Sequence, residues 1–320
     1  MRSHFKREIP FMSVRYIMFA ISAILLVLSI VGIAYKGLNF GIEFQGGTSI
    51  DFRNTAAVST EEMRTILAEQ GEQAAVIQTT LSEDNPGFLV RTTETDPNAA
   101  SALAKAVSDK LELPEDSYTV TTIGPGWGAD VTKSSLIAFM VAIGLIIIWI
   151  AIRFEFKMSL TGILSLFHDL LILVGVYAWT GRDVTPNVIA ALLTIMGYSL
   201  YDTVVVFHRI NENAKNAEFA KNKTFLEIAN KSLNEVFVRT INTSLTSLVP
   251  VLAMLFFGGE TLKDFAFALS LGLILGSYSS IGIATPLYSI WKSIEPEWKK
   301  VAQRLENKQK KQEKNLGTHV

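Results

Sequence analysis

Four stretches of the chain run without a charged side chain: residues 16–35, 134–152, 242–259 and 265–291, of 20, 19, 18 and 27 residues. About 18 such residues suffice for a helix rising ~1.5 Å per residue to cross a hydrocarbon core about 30 Å thick. Residues 158–180 and 186–207 also qualify once His168 and Asp169 are admitted in the first and Asp202 in the second. The pattern therefore predicts six membrane-spanning helices. The first run follows Arg2, Lys6 and Arg7 and carries Gly32-Ile33-Ala34, which looks like a signal cleavage site. A signal's apolar core is only about 7 to 15 residues long, so a run of this length is expected to be a retained anchor.

Between the first two spans the periodicity changes. Residues 48–53 alternate as a strand, and Ser59-Thr60-Glu61-Glu62 has the form of a capping box opening a helix towards Gln70. Residues 74–80 and 88–93 read as strands joined at the turn signal Asn85-Pro86-Gly87. Asp96-Pro97 supplies an N-cap and first-turn proline for a helix to about Leu111, and 117–123 closes as a strand. The order β-α-β-β-α-β predicts a small α+β domain of ferredoxin-like type. Its two tethers, 36–47 and Gly124-Pro125-Gly126-Trp127-Gly128, hold glycines and a proline that favour turns over continuous helix, so a domain hung on them could tilt as a unit.

Charge sets the expected orientation. Residues 36–130 carry 6 basic and 15 acidic side chains, while 8 bases oppose 4 acids from Lys292 to Lys314 and 6 bases lie between Arg209 and Arg239. Because Lys and Arg collect on the cytoplasmic side, the acidic domain is expected outside and both termini inside. The expected organisation is a cytoplasmic terminus and first span at 1–35, the extracytoplasmic domain at 36–130, five spans at 131–291 and a basic tail at 292–320. Within the third part, 209–238 has helical spacing and mixed charge, so it reads as an amphipathic helix lying against the membrane or a docking partner. The tail reads as a solvated end near anionic lipid. Overall, 18% charged residues and a mean hydropathy of +0.31 exclude an ordinary soluble globule and a basic nucleic-acid binder. With no cysteine, thiol catalysis and cysteine-held metal are excluded too.

An ionisable side chain within a span is by default a functional candidate. Counting along the helices puts His168 roughly 15 Å deep and Asp202 roughly 24 Å along the fourth span, in its inner third. If the fifth helix starts near Glu235, Arg239 lies at a similar depth and could pair with Asp202. Thr243, Thr246 and Ser247 fall on the Arg239 face, and Tyr198 and Ser199 one turn before Asp202. An acid held between a guanidinium and hydroxyls can exchange a proton as water access changes; the competing reading is a structural pair that fixes helix register. His168 and Asp169 are adjacent, hence about 100° apart on a helix, and need not face one cavity. Ala268, Gly272, Gly276, Ser280 and Ala284 recur every fourth position, a stripe that admits another helix closely, from this chain or another. No metal-ligand spacing, catalytic triad or phosphate-binding glycine loop is present, so no cofactor, metal or enzymatic activity is expected.

The segment Asn39-Phe40-Gly41-Ile42-Glu43-Phe44-Gln45-Gly46-Gly47, the fourth-span run from Gly197 to Phe207, the run Arg239-Thr240-Ile241-Asn242-Thr243-Ser244-Leu245-Thr246, Phe257-Gly258-Gly259 and Tyr278-Ser279-Ser280-Ile281 together resemble the SecF family of protein-export membrane proteins, within the SecD/SecF group of the RND superfamily. The resemblance covers the chain from its first span to about Pro286. It implies a six-helix half of an RND-type fold in the bacterial inner membrane, partnered by SecD, the SecYEG channel, the translocating polypeptide and membrane lipids. It further implies a late step of export driven by the proton-motive force, with Asp202 and Arg239 matching the family's intramembrane acid and arginine. Departures stand at Glu43, where aspartate is common, at Tyr201, where asparagine is common, and at His208, where aspartate is common. A proton-coupled efflux or lipid transporter subunit of the same superfamily is the rival expectation.

Overall fold

The structure, a computed structural model, describes residues 8–53, 55, 58–80, 87–114, 116–258 and 260–316. The basic residues Arg2, Lys6 and Arg7, the turn residues Asn85 and Pro86, and Gly259 lie outside the described residues. In chain order the elements are α1 (Arg15–Lys36), β1 (Asn39–Phe40), α2 (Ile42–Gln45), β2 (Gly47–Phe52), α3 (Thr60–Glu69), β3 (Val76–Thr80), β4 (Gly87–Thr92), α4 (Pro97–Lys110) and β5 (Tyr118–Ile123). There follow α5 (Pro125–Arg153), α6 (Phe156–Thr180), β6 (Asp183–Val184), α7 (Pro186–Lys215), α8 (Ala217–Ala220), α9 (Phe225–Phe257) and α10 (Glu260–Ser279). A π-helical turn (Ser280–Ala284), α11 (Thr285–Ser293) and α12 (Pro296–Leu316) complete the chain.

Among the described residues, six helical stretches are long and apolar enough to cross a membrane: α1, α5, α6, α7, α9 and the run from Leu262 to Ser293 that joins α10, the π turn and α11. The protein is a polytopic α-helical membrane protein with a small α+β part. Two compact units divide it: one of Met1–Leu38, Met140–Arg182 and Asn187–Val320, the other of Asn39–Phe139 with Asp183–Pro186.

In the α+β unit, four strands pair antiparallel in the order β3-β4-β2-β5, the order of a ferredoxin-like sheet. The hydroxyl of Ser59 accepts from the Glu62 amide at 3.2 Å and the Asp96 carboxylate from the Asn98 amide at 2.9 Å, so both helices start at the caps that their sequences predict. Ile50, Phe52, Met63, Leu67, Val90 and Val107 form the core between helices and sheet. A second, two-stranded parallel sheet joins β1 to β6, with Asn39 opposite Asp183 and Phe40 opposite Val184. Residues 183–186 thus belong to this unit although the sequence places them between spans.

Two boundaries differ from expectation. The segment Gly124 to Gly128 is not a free turn: α5 runs unbroken from Pro125, because a proline in the first turn gives up only an amide that would lack a helical partner anyway. The fifth helix begins ten residues before Glu235, at Phe225, where Thr224 and Glu227 form a reciprocal capping box. Residues 209–238 therefore do not form one amphipathic helix: only the single turn of α8 (Ala217–Ala220) stands apart within them. Residues 209–215 extend α7 and 225–238 belong to α9, and Phe207, Ile210, Phe225, Ala229 and Leu233 pack in one core with Phe11 and Tyr288.

The small-residue stripe of the last span meets a helix of this chain. A Cβ on Gly272 would stand 2.2 Å from Ile195 Cδ1, and one on Gly276 would stand 2.9 Å from Ser199 Cβ, both on α7. Ala268, Ser280 and Ala284 are fully buried. Likewise a Cβ on Gly175 of α6 would lie 2.4 Å from the Ser29 Cα of α1. Missing side chains here are what let helices without a hydrophobic driving force between them pack closely. Gly276→Val is expected to destabilise the helical unit by about 1–3 kcal/mol through overpacking, read as a fall in Tm in detergent. Gly144→Val, at a glycine with open space before it, should leave Tm unchanged.

Candidate functional site

Among the intramembrane acids, Asp169 on α6 is the one that the fold fully satisfies. Only 1% exposed, it accepts hydrogen bonds on Oδ2 from Ser199 Oγ of α7 and from Ser279 Oγ of α10, each at 2.7 Å. Its Oδ1 lies 3.0 Å from His168 Nδ1. Neighbours in sequence thus do share one site: the imidazole folds back on the adjacent carboxyl group. The other ring nitrogen, Nε2, is buried without a hydrogen-bond partner among the described residues. The ring lies 6.4 Å from that of Tyr278, whose hydroxyl donates to the Met18 carbonyl of α1 at 2.8 Å. One carboxyl group therefore draws together α6, α7 and α10, with α1 attached through Tyr278.

Ser279 was not singled out by its spacing. It immediately precedes the π turn, a device found frequently at functional sites. The widened turn is held at Ser280, whose carbonyl accepts from both the amide and the hydroxyl of Thr285, the latter at 2.7 Å. Ser279 then reaches Asp169, while Ser280 Oγ lies 2.8 Å from Thr203 Oγ1 of α7. The available signal was Pro286: a proline inside an apolar span removes an i−4 hydrogen bond and marks irregular helix nearby.

Asp202 is also buried, at 3% exposure, yet its Oδ2 has no hydrogen-bond partner among the described residues. The expected pairing with Arg239 does not form as an ion pair within this chain. Arg239 Nη2 donates instead to the hydroxyl of Tyr201 at 3.0 Å, and both residues are exposed. The polar stripes divide accordingly. Ser199 serves Asp169, and Tyr198 Oη is buried without a partner among the described residues. Thr243 and Thr246 bond back to the Arg239 and Asn242 carbonyls of their own helix at 2.8 and 2.9 Å, and Ser247 is half-buried. Ser244, between them, meets Ser277 Oγ at 2.5 Å and so ties α9 to α10. His208 is exposed near the end of the α7 span.

In the α+β unit, Phe40, Gly41, Ile42, Glu43 and Phe44 pass from β1 into the single turn of α2, which Gly46 and Gly47 terminate with φ of 76° and 118°. Both values fall where only glycine sits without strain. At Gly47 space is also refused: a Cβ would stand 2.4 Å from the Thr92 carbonyl oxygen. Glu43 Oε2 is buried without a partner among the described residues. This double-glycine turn coincides with a match to the SecD/SecF GG motif over residues 31–53, and residues 103–293 match the family described as protein export membrane protein SecD/SecF, C-terminal.

The chain belongs to the SecD/SecF family. Within that family it is 40% identical to the protein translocase subunit SecF of Thermodesulfovibrio yellowstonii, over 88% of this chain and 94% of that one. It is 35% identical to SecF of Streptomyces coelicolor, over 92% of this chain and 80% of that one. The crystal structure of SecDF, a translocon-associated membrane protein from Thermus thermophilus, superposes with a TM-score of 0.80 at 33% identity. That match covers 90% of this chain but only 39% of the SecDF chain. The polar centre around Asp169 and Asp202 lies within the part that the SecD/SecF C-terminal family spans.

A hydroxyl donating to a buried carboxylate contributes about 1.5–3 kcal/mol. Ser279→Ala is therefore expected to lower Tm clearly, whereas Ser270→Ala on the same helix, where Oγ is buried without a partner among the described residues, should not. Equal losses in the two variants would show that Asp169 does not hold these spans together.

Proposed function

We propose that this protein is an accessory subunit of the Sec protein translocase, acting with SecD at the SecYEG channel. It uses the proton-motive force to drive late steps of export across the bacterial plasma membrane. In this reading both termini are cytoplasmic and the domain at 36–130 faces outward, as the segregation of acidic and basic side chains favours. The protein works as a mechanical coupler and not as an enzyme. Its relatives' designation as translocase subunits supports the accessory role.

The observation that carries the proton-coupled part is the unequal treatment of two buried acids. Asp169 has donors from two neighbouring spans, while Asp202 on α7 keeps a buried oxygen without one among the described residues. A carboxylate left so is costly in a low-dielectric interior and favours taking up a proton or a partner. Asp202 is the group that exchanges the proton, and Asp169 with His168 forms the fixed polar wall beside it. Arg239 supplies positive charge at the inner ends of the spans. An exposed guanidinium there costs about 2.5–3.5 kcal/mol or more if lipid covers it. A second membrane subunit against this face, with its own polar groups, removes that cost, and SecD is the subunit proposed to do so.

Asp202→Asn is expected to abolish the proton-gradient-dependent part of precursor export in membrane vesicles, with Tm and co-purification of SecD unchanged. Export that keeps its full dependence on the gradient in this variant would overturn the relay. Recovery of a homo-oligomer without channel subunits would favour an efflux or lipid transporter instead.

A further inference from the structure

The chain enters α1 through residues 8–14, and within the helical unit this segment is bound to the first half of α9. The side-chain amide of Asn234 meets the backbone of Ile9 twice: Oδ1 accepts from the Ile9 amide at 2.8 Å, and Nδ2 donates to the Ile9 carbonyl at 2.9 Å. A single side chain thus copies the exchange of hydrogen bonds between two paired strands. One turn earlier, Asn230 Oδ1 accepts from the Met12 amide at 3.1 Å. Phe11 and Met12, each 5% exposed, enter the core that Phe225, Leu233 and Tyr288 share, and the Phe11 ring lies 5.1 Å from that of Phe237. The segment runs into α1 through bonded turns: the Pro10 carbonyl accepts from the Ser13 amide at 3.0 Å, and the Val14 carbonyl accepts from the Ile17 and Met18 amides at 3.0 and 3.2 Å. α1 is itself held on α6, where Trp179 Nε1 donates to the Leu28 carbonyl at 2.8 Å.

We propose that residues 9–12 are a strap that sets the azimuth of α9 and so keeps Arg239 facing away from the protein interior, with Asn230 and Asn234 as its positioning residues. The basis is helical phase. Asn230, Asn234 and Phe237 recur at i, i+4 and i+7, so they form one face of α9, and that face is turned to the strap. At about 100° per residue, Arg239 stands roughly 180°, 140° and 160° around the axis from these three. A helix gripped along one face by two backbone-directed amides and an aromatic ring therefore presents Arg239 on the opposite face, where Nη2 meets Tyr201. Rotating α9 to bring the guanidinium towards Asp202 would draw both asparagines off the strap and leave the amide of the buried Met12 without its acceptor. Rotation of the fifth span must first release the strap from α1. The consequence for export rests on the function proposed above, in which Arg239 meets a second subunit; the strap itself does not.

The test uses the full chain in lipid nanodiscs. Because the protein has no cysteine, Leu164→Cys on α6 and Thr246→Cys on α9, both exposed and both in the helical unit, place a single pair of spin labels whose distance distribution is read by pulsed electron resonance. Thr246 lies two turns beyond Arg239 on the same face and reports its azimuth. With the native strap the distribution should be narrow. Asn230→Leu/Asn234→Leu, which keeps side-chain bulk and removes all three hydrogen bonds to the strap, should broaden it and add a shifted population. In the unlabelled protein the same pair should accelerate amide exchange at Met12 about tenfold, the effect of losing one hydrogen bond. Asn234→Leu alone, a milder change that serves where the double variant does not fold, should move both readouts in the same direction. Asn242→Leu, at an exposed position of the same helix, should move neither. Faster Met12 exchange with an unchanged distribution, or no gain in exchange, would overturn the strap. Asp202→Asn should leave both readouts as in the native chain. A strap variant that broadens the distribution yet keeps full gradient-dependent export would overturn the role proposed for Arg239 and leave the strap standing, so the two failures are separable.

Discussion

A carboxyl group enclosed by protein at membrane depth needs hydrogen-bond donors, and the donors must come from other helices, because the amides of its own helix are already engaged. For Asp169 that requirement is met by two serine hydroxyls at 2.7 Å, and much of the helical unit follows from it. Ser199 can reach Asp169 and still meet α10 only if α7 and α10 approach closely, which Gly272 and Gly276 allow by presenting no side chain to Ile195 and Ser199. Ser279 points to the same carboxyl group while Ser280 serves Thr203, adjacent residues at the start of the π turn standing about 100° apart around the helix. Pro286, one turn beyond, makes the irregularity inexpensive, since regular bonding is already interrupted there. Acid, small residues and π turn are three parts of one solution.

Much of this architecture was legible in the amino-acid sequence because it rests on local chemistry. Span count follows from length against bilayer thickness. The caps at Ser59 and Asp96 announce α3 and α4, and apolar alternation marks the strands of the α+β unit. The misses arise where a local signal was outweighed or absent. Charges around Thr224 read as a surface helix, although the capping box formed with Glu227 starts a helix that continues through the membrane. Glycines near Pro125 read as a tether, although that proline occupies a first turn. A two-residue strand at Asp183–Val184 has no periodicity to detect, so its pairing with β1 could be found only in three dimensions. The position of Ser279 at Asp169 does not follow from regular helical spacing, which cannot foresee a π turn.

That Asp202 and Arg239 form no direct ion pair within this chain has a different reason, and it is informative. Both residues lie on neighbouring polar stretches of α7 and α9, and helical arithmetic had placed them at similar depth. The missing variable was azimuth. Asp202 turns into the protein, and Arg239 turns to its surface beside Tyr201, itself 51% exposed. A buried acid with an unpartnered oxygen and an outward-facing arginine at membrane depth are each unstable arrangements for a chain surrounded only by lipid. In the function proposed above they become reasonable because the polar centre is shared, with the arginine meeting groups of SecD and the acid keeping access to an exchangeable proton. This chain covers 39% of the SecDF chain it resembles in structure. On that proposal the division of labour follows from hydrogen bonding: the satisfied acid maintains the packing of three spans, and the unsatisfied one is left able to change state.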